Sequence, residues 1–206
     1  MKPKHDFVAK HSRMFNKASI HPDKKKDYKR KPKKEFVMIT KKIWLDLDGV
    51  MADMAQKLIE VFGSDYKSIP SNLLWKRLQE EDHLFLHLNE IPDAQSLLSS
   101  IVKIADEYNC ELEFLTALPY STGNLLTSKS DKISWVRSHL TDKIPVQTII
   151  GGLNKYKFAN VGDILIDDTA KNLGPWEAAG GIGILHESNN YAPTLLKLFS
   201  ILESQK

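Results

Sequence analysis

Cysteine is nearly missing from this sequence: Cys110 stands alone among 206 residues, so no internal disulfide can form. That excludes the stapled scaffolds of small secreted domains and makes a reducing cytoplasm the expected location. Long apolar runs are missing too. No stretch approaches the roughly 20 residues of a bilayer-spanning helix, and the first residues carry no signal-peptide pattern, so no membrane attachment is expected. Histidines with metal-ligand spacing are also lacking. His83 and His87 stand four apart but have no third partner, which fits surface or cap residues better than a zinc site.

Acidic residues are scarce in one region only. Residues 1–42 hold 15 Lys and Arg against 4 Asp and Glu, a net of +11, while the remainder holds 14 against 22, a net of −8. The segment around "HPDKKKDYKRKPKK" (21–34) has few aliphatic residues and no hydrophobic period. Residues 1–40 are therefore expected to form a disordered basic arm. A solvated tail fits that composition, and so does contact with nucleic acid through residues 1–34. Being Lys-rich and carrying Asp6, Asp23 and Asp27, the arm does not fit a mitochondrial presequence.

What is present begins at Phe36, where short apolar runs alternate with amphipathic helical patterns. The runs at 43–47, 112–116, 145–150, 164–167 and 182–185 read as strands. Helical spacing lies near 53–62, 72–80, 94–108, 131–140, 173–179 and 191–203. Continuous apolar strands separated by helices predict an α/β domain over 41–206, with a Rossmann-like parallel sheet covered by helices on both faces. In such sheets the ligand crevice lies outside the carboxyl ends of the strands. Three strands end in reactive side chains: Asp46 with Asp48, Thr116, and Asp167 with Asp168. Carboxylates brought together from neighbouring strands repel one another, and burial makes their charge costlier still. A cation among them removes that penalty, and an all-oxygen donor set suits Mg²⁺, which accepts phosphate oxygens as further ligands. An isolated Asp or Thr at a strand end is commonly a turn or cap residue; the weight here comes from the ordered set.

The motif "DLDGVMAD" (46–53) resembles the first motif of haloacid dehalogenase-like (HAD) phosphohydrolases, and more narrowly that of 5'(3')-deoxyribonucleotidases and related bacterial and phage nucleotidases. "EFLTALP" (113–119), "DKISWV" (131–136), "DILIDD" (163–168) and "WEAAGGIGILH" (176–186) resemble the later landmarks in the family's order, so the likeness spans roughly residues 41–190. It implies a HAD-like fold with a small helical cap inserted at about 63–93. It also implies hydrolysis of nucleoside monophosphates through an aspartyl-phosphate on Asp46. Asp48 would be the acid and base, with its backbone carbonyl on the metal. Thr116 would bind a phosphate oxygen, and Lys132 would stabilise the developing charge. Mg²⁺ would be held by Asp46, Asp48, Asp167 and Asp168, with the direct ligand of the last two left open.

"VGDILIDD" also fits a second form of the fourth motif, with Asp163 as a ligand. "KFANVG" is a poor strand, however, so the strand is expected at 164–166 with Asp163 in the turn before it. Gly49 would let the chain turn sharply away from the first strand. Ala117 would offer only its backbone N–H to substrate, and Trp75 and Phe85 are the large apolar groups able to stack on a base or pack the cap. Met54 stands where the nucleotidases usually carry an aromatic residue against the base. The cap could close within one chain or across a homodimer. A phosphate at a polynucleotide end, held with the arm's help, is an alternative substrate. A non-catalytic module tethered to nucleic acid is the alternative outside enzymes.

Overall fold

The computed structural model describes residues 41–120 and 123–205; the basic arm expected over 1–40 lies outside the described residues. Five parallel strands form one sheet in the order β3-β2-β1-β4-β5. Their ranges are β1 Lys42–Leu45, β2 Glu111–Leu118, β3 Val146–Ile150, β4 Ile164–Asp167 and β5 Ile182–Leu185. The helices are α1 Met54–Phe62, α2 Ser71–Leu78, α3 Ala94–Glu107, α4 Ser128–His139, α5 Ala170–Ala178 and α6 Tyr191–Ser204. This is the α/β, Rossmann-like architecture expected, with helices on both faces.

The middles of the central strands β1, β2 and β4 are apolar because both faces of the sheet are covered there. Ile43, Leu45, Ile164 and Ile166 join the larger core, to which α3 and α6 contribute Leu97, Ile101, Leu198 and Leu202. Trp44, Leu115 and Leu165 point the other way and meet Leu173 and Trp176 of α5. Period-two alternation thus sorts neighbouring residues of β1 and β4 onto opposite layers.

β1 pairs with β2 on one side and β4 on the other, with Leu45 opposite both Phe114 and Ile166. That register brings the carboxyl ends of β1, β2 and β4 side by side. Asp46 extends the ladder by one bond, its N–H donating to the Ile166 carbonyl at 2.9 Å. The chain then leaves the sheet through Gly49, which has φ +78°, and α1 begins where Asp53 caps the Gln56 N–H at 2.8 Å. The last carboxylate of the first motif is therefore a helix cap.

Asp163 lies in the turn before β4, as expected, and accepts bonds from the Lys42 N–H (3.0 Å) and the Asn160 side chain (2.9 Å). A strand separates it from Asp167 at the sheet's opposite edge, so it is no part of the carboxylate group there.

The segment between α1 and α3 contains a 3₁₀ turn at Ser64–Ser68, helix α2 and irregular turns. Leu78, Leu84, Phe85, Leu88 and Ile91 from this segment are buried in the larger core rather than in a small core of their own.

Candidate active site

Each side chain at the carboxyl edge owes its place to a strand end or to the helix after one. Asp46 is 5% exposed. Its Oδ1 accepts from the Leu47 N–H at 2.8 Å and pairs with Lys155 Nζ at 2.7 Å, which among the described residues leaves Oδ2 uncommitted. Asp167, fully buried at the end of β4, takes the same ammonium on Oδ2 at 2.6 Å. Its Oδ1 accepts from the Thr169 N–H (2.8 Å) and the Asn172 amide (3.0 Å), so both oxygens are engaged. Asp168 accepts a bond from the Thr169 hydroxyl at 3.1 Å, and its carboxyl group packs tightly against Gly49. A Cβ at Gly49 would collide with it, so this position needs glycine for space as well as for its positive φ.

One oxygen from each of Asp46, Asp167 and Asp168 can be chosen so that all lie within 4.8 Å of one another. Among the described residues, no other group of three or more acidic, histidine or cysteine side chains comes together in this way. Burial pushes the Asp46 carboxyl up to about 8; the Lys155 ammonium opposes that rise, and Asp167 and Asp48 add to it. Burial likewise raises Asp168 to about 6, with Asp167 next in weight. Burial alone would lower Lys155, but Asp46 and Asp167 more than offset this and hold it above the ordinary lysine range. Three acids thus share a single ammonium. A hard divalent cation relieves that imbalance, and the donors are all oxygens. The residues present fit Mg²⁺.

Beside this group lies a second one. Lys132, fully buried on α4, donates to Asp48 Oδ2 and to Thr116 Oγ1, the latter at 2.9 Å. Its ammonium sits 4.3 Å from the centre of the Phe85 ring. Asp48 Oδ1 is buried without a hydrogen-bond partner among the described residues. Asp48 belongs to this cluster, and its carboxylate is not in the trio around Lys155.

A cavity of about 610 Å³ opens from Asp48. Ala117, Leu118, Tyr120, Leu125, Gly151 and Gly152 line the side of the sheet, and Ser71, Asn72, Trp75, Lys76, Gln79 and Phe85 the side of the inserted segment. Of the substrate contacts expected from sequence, Trp75, Phe85 and Ala117 are on this wall. Trp75 is partly exposed there, whereas Phe85 is a core residue with one face turned to the cavity. Gly49 and Met54 are not on the wall. Gly49 serves the Asp168 carboxyl, and the half-buried Met54 opens α1 and packs against the larger core.

Sequence reasoning missed Lys155. It belongs to a 3₁₀ turn, Gly152–Phe158, between β3 and β4, where "NKYK" reads as solvated loop. Its only signal was position: a lysine in the connection leading into an Asp-Asp strand end.

A parallel five-stranded sheet with an Asp-led loop after its central strand and an Asp-Asp pair on the neighbouring strand defines a HAD-type phosphohydrolase. The chain belongs to the family described as 5' nucleotidase, deoxy (pyrimidine), cytosolic type C, which matches residues 69–196 and so includes Thr116, Lys132, Asp167 and Asp168. The match starts downstream of the first motif. A family of unknown function matches residues 2–35. Among solved structures, a dehalogenase is 13% identical with TM-score 0.46, over 80% of this chain and 98% of that one. A hydrolase from Streptococcus pneumoniae is 13% identical with TM-score 0.42, over 79% and 100%. The HAD domain of the effector Lem4 from Legionella pneumophila is 11% identical with TM-score 0.40, over 80% and 94%. No curated protein matches the sequence.

Proposed function

We propose that the protein is a Mg²⁺-dependent phosphomonoesterase of nucleoside monophosphates, with pyrimidine deoxyribonucleotides as the preferred class. The observation carrying this reading is the meeting of Asp46, Asp167 and Asp168 within 4.8 Å at the sheet edge, next to the Lys132–Thr116–Asp48 cluster. The substrate class rests on the family's description.

Asp46 Oδ2 attacks phosphorus while Lys155 and the Leu47 N–H hold Oδ1, fixing the carboxylate's orientation. As the bond from phosphorus to the ester oxygen breaks, Asp48 gives that oxygen a proton. The unpartnered Oδ1 is the atom that carries it. Asp48 then takes a proton from water, the water oxygen bonds to phosphorus, and the aspartyl P–O bond breaks to restore Asp46. Thr116 and Lys132 bind the equatorial oxygens of the transferring group. Asp46 and Asp168, whose oxygens are less committed than those of Asp167, would hold Mg²⁺ directly. Held there, Mg²⁺ would supply charge that offsets the repulsion between carboxylate and phosphate. The inserted segment serves as the cap: the exposed ring of Trp75 on α2 is placed to stack on a base.

Asp46→Asn is expected to abolish phosphate release from deoxyribonucleoside monophosphates, because the isosteric amide cannot attack phosphorus, while the chain still folds, because Lys155 keeps its pair with Asp167. Retention of even about a tenth of wild-type turnover would remove Asp46 from the nucleophile's role. The net +11 of residues 1–42 favours a second reading, in which the phosphate sits at a polynucleotide end and the arm holds the strand.

A further inference from the structure

Helix α4 carries two consecutive buried charges with different neighbours, Asp131 and Lys132. Lys132 reaches Asp48 and Thr116 beneath the Phe85 ring. Asp131 accepts from the Thr127 hydroxyl at 2.7 Å and meets His83 Nδ1 at 2.9 Å. His83 and Phe85 lie two residues apart in the inserted segment, so one turn of that segment grips both members of the α4 pair. His83 adopts φ +45°, which a side-chain-bearing residue avoids unless its surroundings hold it there. Its side chain is 44% exposed and adds little to the core. The purpose of such a residue lies in the bond it makes.

We propose that His83 is a positioning residue for the reaction: its bond to Asp131 holds the 83–88 turn so that Phe85 covers Lys132 and keeps water from its ammonium. The inference rests on the reading of Lys132 as the phosphate-facing cation. A shielded ammonium acts through a lower effective dielectric and stabilises developing charge more strongly than a hydrated one. Released from Asp131, the strained turn relaxes and the ring leaves. The charged groups facing the imidazole are Asp131 from α4 and Asp82 from its own turn, with Nε2 at 4.0 Å from the latter. Both are anionic, so the protonated ring holds the turn more firmly than the neutral one.

The test compares full-length wild type, His83→Ala and His83→Asn under saturating Mg²⁺ with a deoxyribonucleoside monophosphate. His83→Ala is expected to lower kcat about tenfold or more, with KM changed less than about threefold. Asparagine keeps a donor near the Nδ1 position and tolerates left-handed backbone, so it should restore kcat to within about threefold of wild type. Amide exchange of residues 83–88 supplies a readout independent of turnover: protection should fall in the alanine variant and return in the asparagine variant. Unchanged protection, wild-type kcat in His83→Ala, or a loss that asparagine does not rescue overturns the proposal. If the wild type releases no phosphate from any nucleotide, the nucleotidase reading fails by itself, and the exchange data alone decide whether His83 holds the turn.

Discussion

Lys155 and Asp46 show how a buried charge can be both structural and chemical. The ammonium is fully buried between Asp46 and Asp167, so removing it leaves two carboxylates facing each other in a water-poor site. Breaking a buried pair from one side costs about 3–5 kcal/mol, far more than the pair is worth against an apolar replacement of both partners. Lys155→Met is therefore expected to lower unfolding stability by about that amount in denaturant melts without metal. Turnover should fall as well, since Asp46 Oδ1 loses the contact that orients it. A melt unchanged from wild type would mean that the acids are not held ionised by Lys155.

At the scale of elements, the junction of β5 and α6 carries a pH dependence of its own. His186 follows β5, and its Nδ1 meets the hydroxyl of Thr194, in the first turn of α6, at 2.9 Å; Nε2 is buried without a partner among the described residues. Burial lowers its pKa, with Asp93 and Glu187 acting the other way. The unfolded chain then binds this proton more readily than the folded one. The stability from keeping the ring neutral is complete above the ordinary value near 6.5 and is lost as pH falls through it towards the folded-state value. Urea midpoints should drop between pH 7.5 and 5 more in wild type than in His186→Gln, and equal drops would contradict the assignment.

Elements were also the part most legible in the sequence. Among the described residues, the five strands and six helices lie where the sequence pattern placed them, because the central strands β1 and β4 are buried on both faces and helices such as α3 and α6 bury one apolar face. The misses have physical causes. β2 runs from Glu111 to Leu118 because Lys42 pairs with Glu111 and Glu113, so polar residues extend a strand that hydropathy cut short. The first turn of α4, Ser128 to Ser130, is polar and gives no periodic signal. Lys155 was unreadable for a related reason: a lysine's burial depends on partners 109 and 12 positions away, Asp46 and Asp167, which no local pattern reports.

For the whole molecule, charge is divided along the chain: +11 in residues 1–42 and −8 in the rest. An acidic body repels polynucleotides at long range, so any affinity for them falls to the arm. Deleting residues 1–34 should leave kcat/KM for mononucleotides within about twofold and weaken single-stranded DNA binding by about tenfold or more at low salt, with a shallower salt slope. If activity on phosphorylated DNA ends falls together with that binding, the polynucleotide reading gains over the mononucleotide one. An arm that changes neither is a solubilising tail.

Phe85, Leu78 and Leu125 are core residues, and Phe85 and Leu125 also face the cavity. The inner wall of the cavity is thus made of the same side chains that keep the domain folded. In the proposed nucleotidase, mutation there is taxed twice, and drift in substrate choice is channelled to the outer rim, where Ser71, Asn72, Trp75 and Lys76 can change with little penalty to folding. Divergence among relatives should accordingly pool on one exposed helical stripe while the chamber's floor stays fixed.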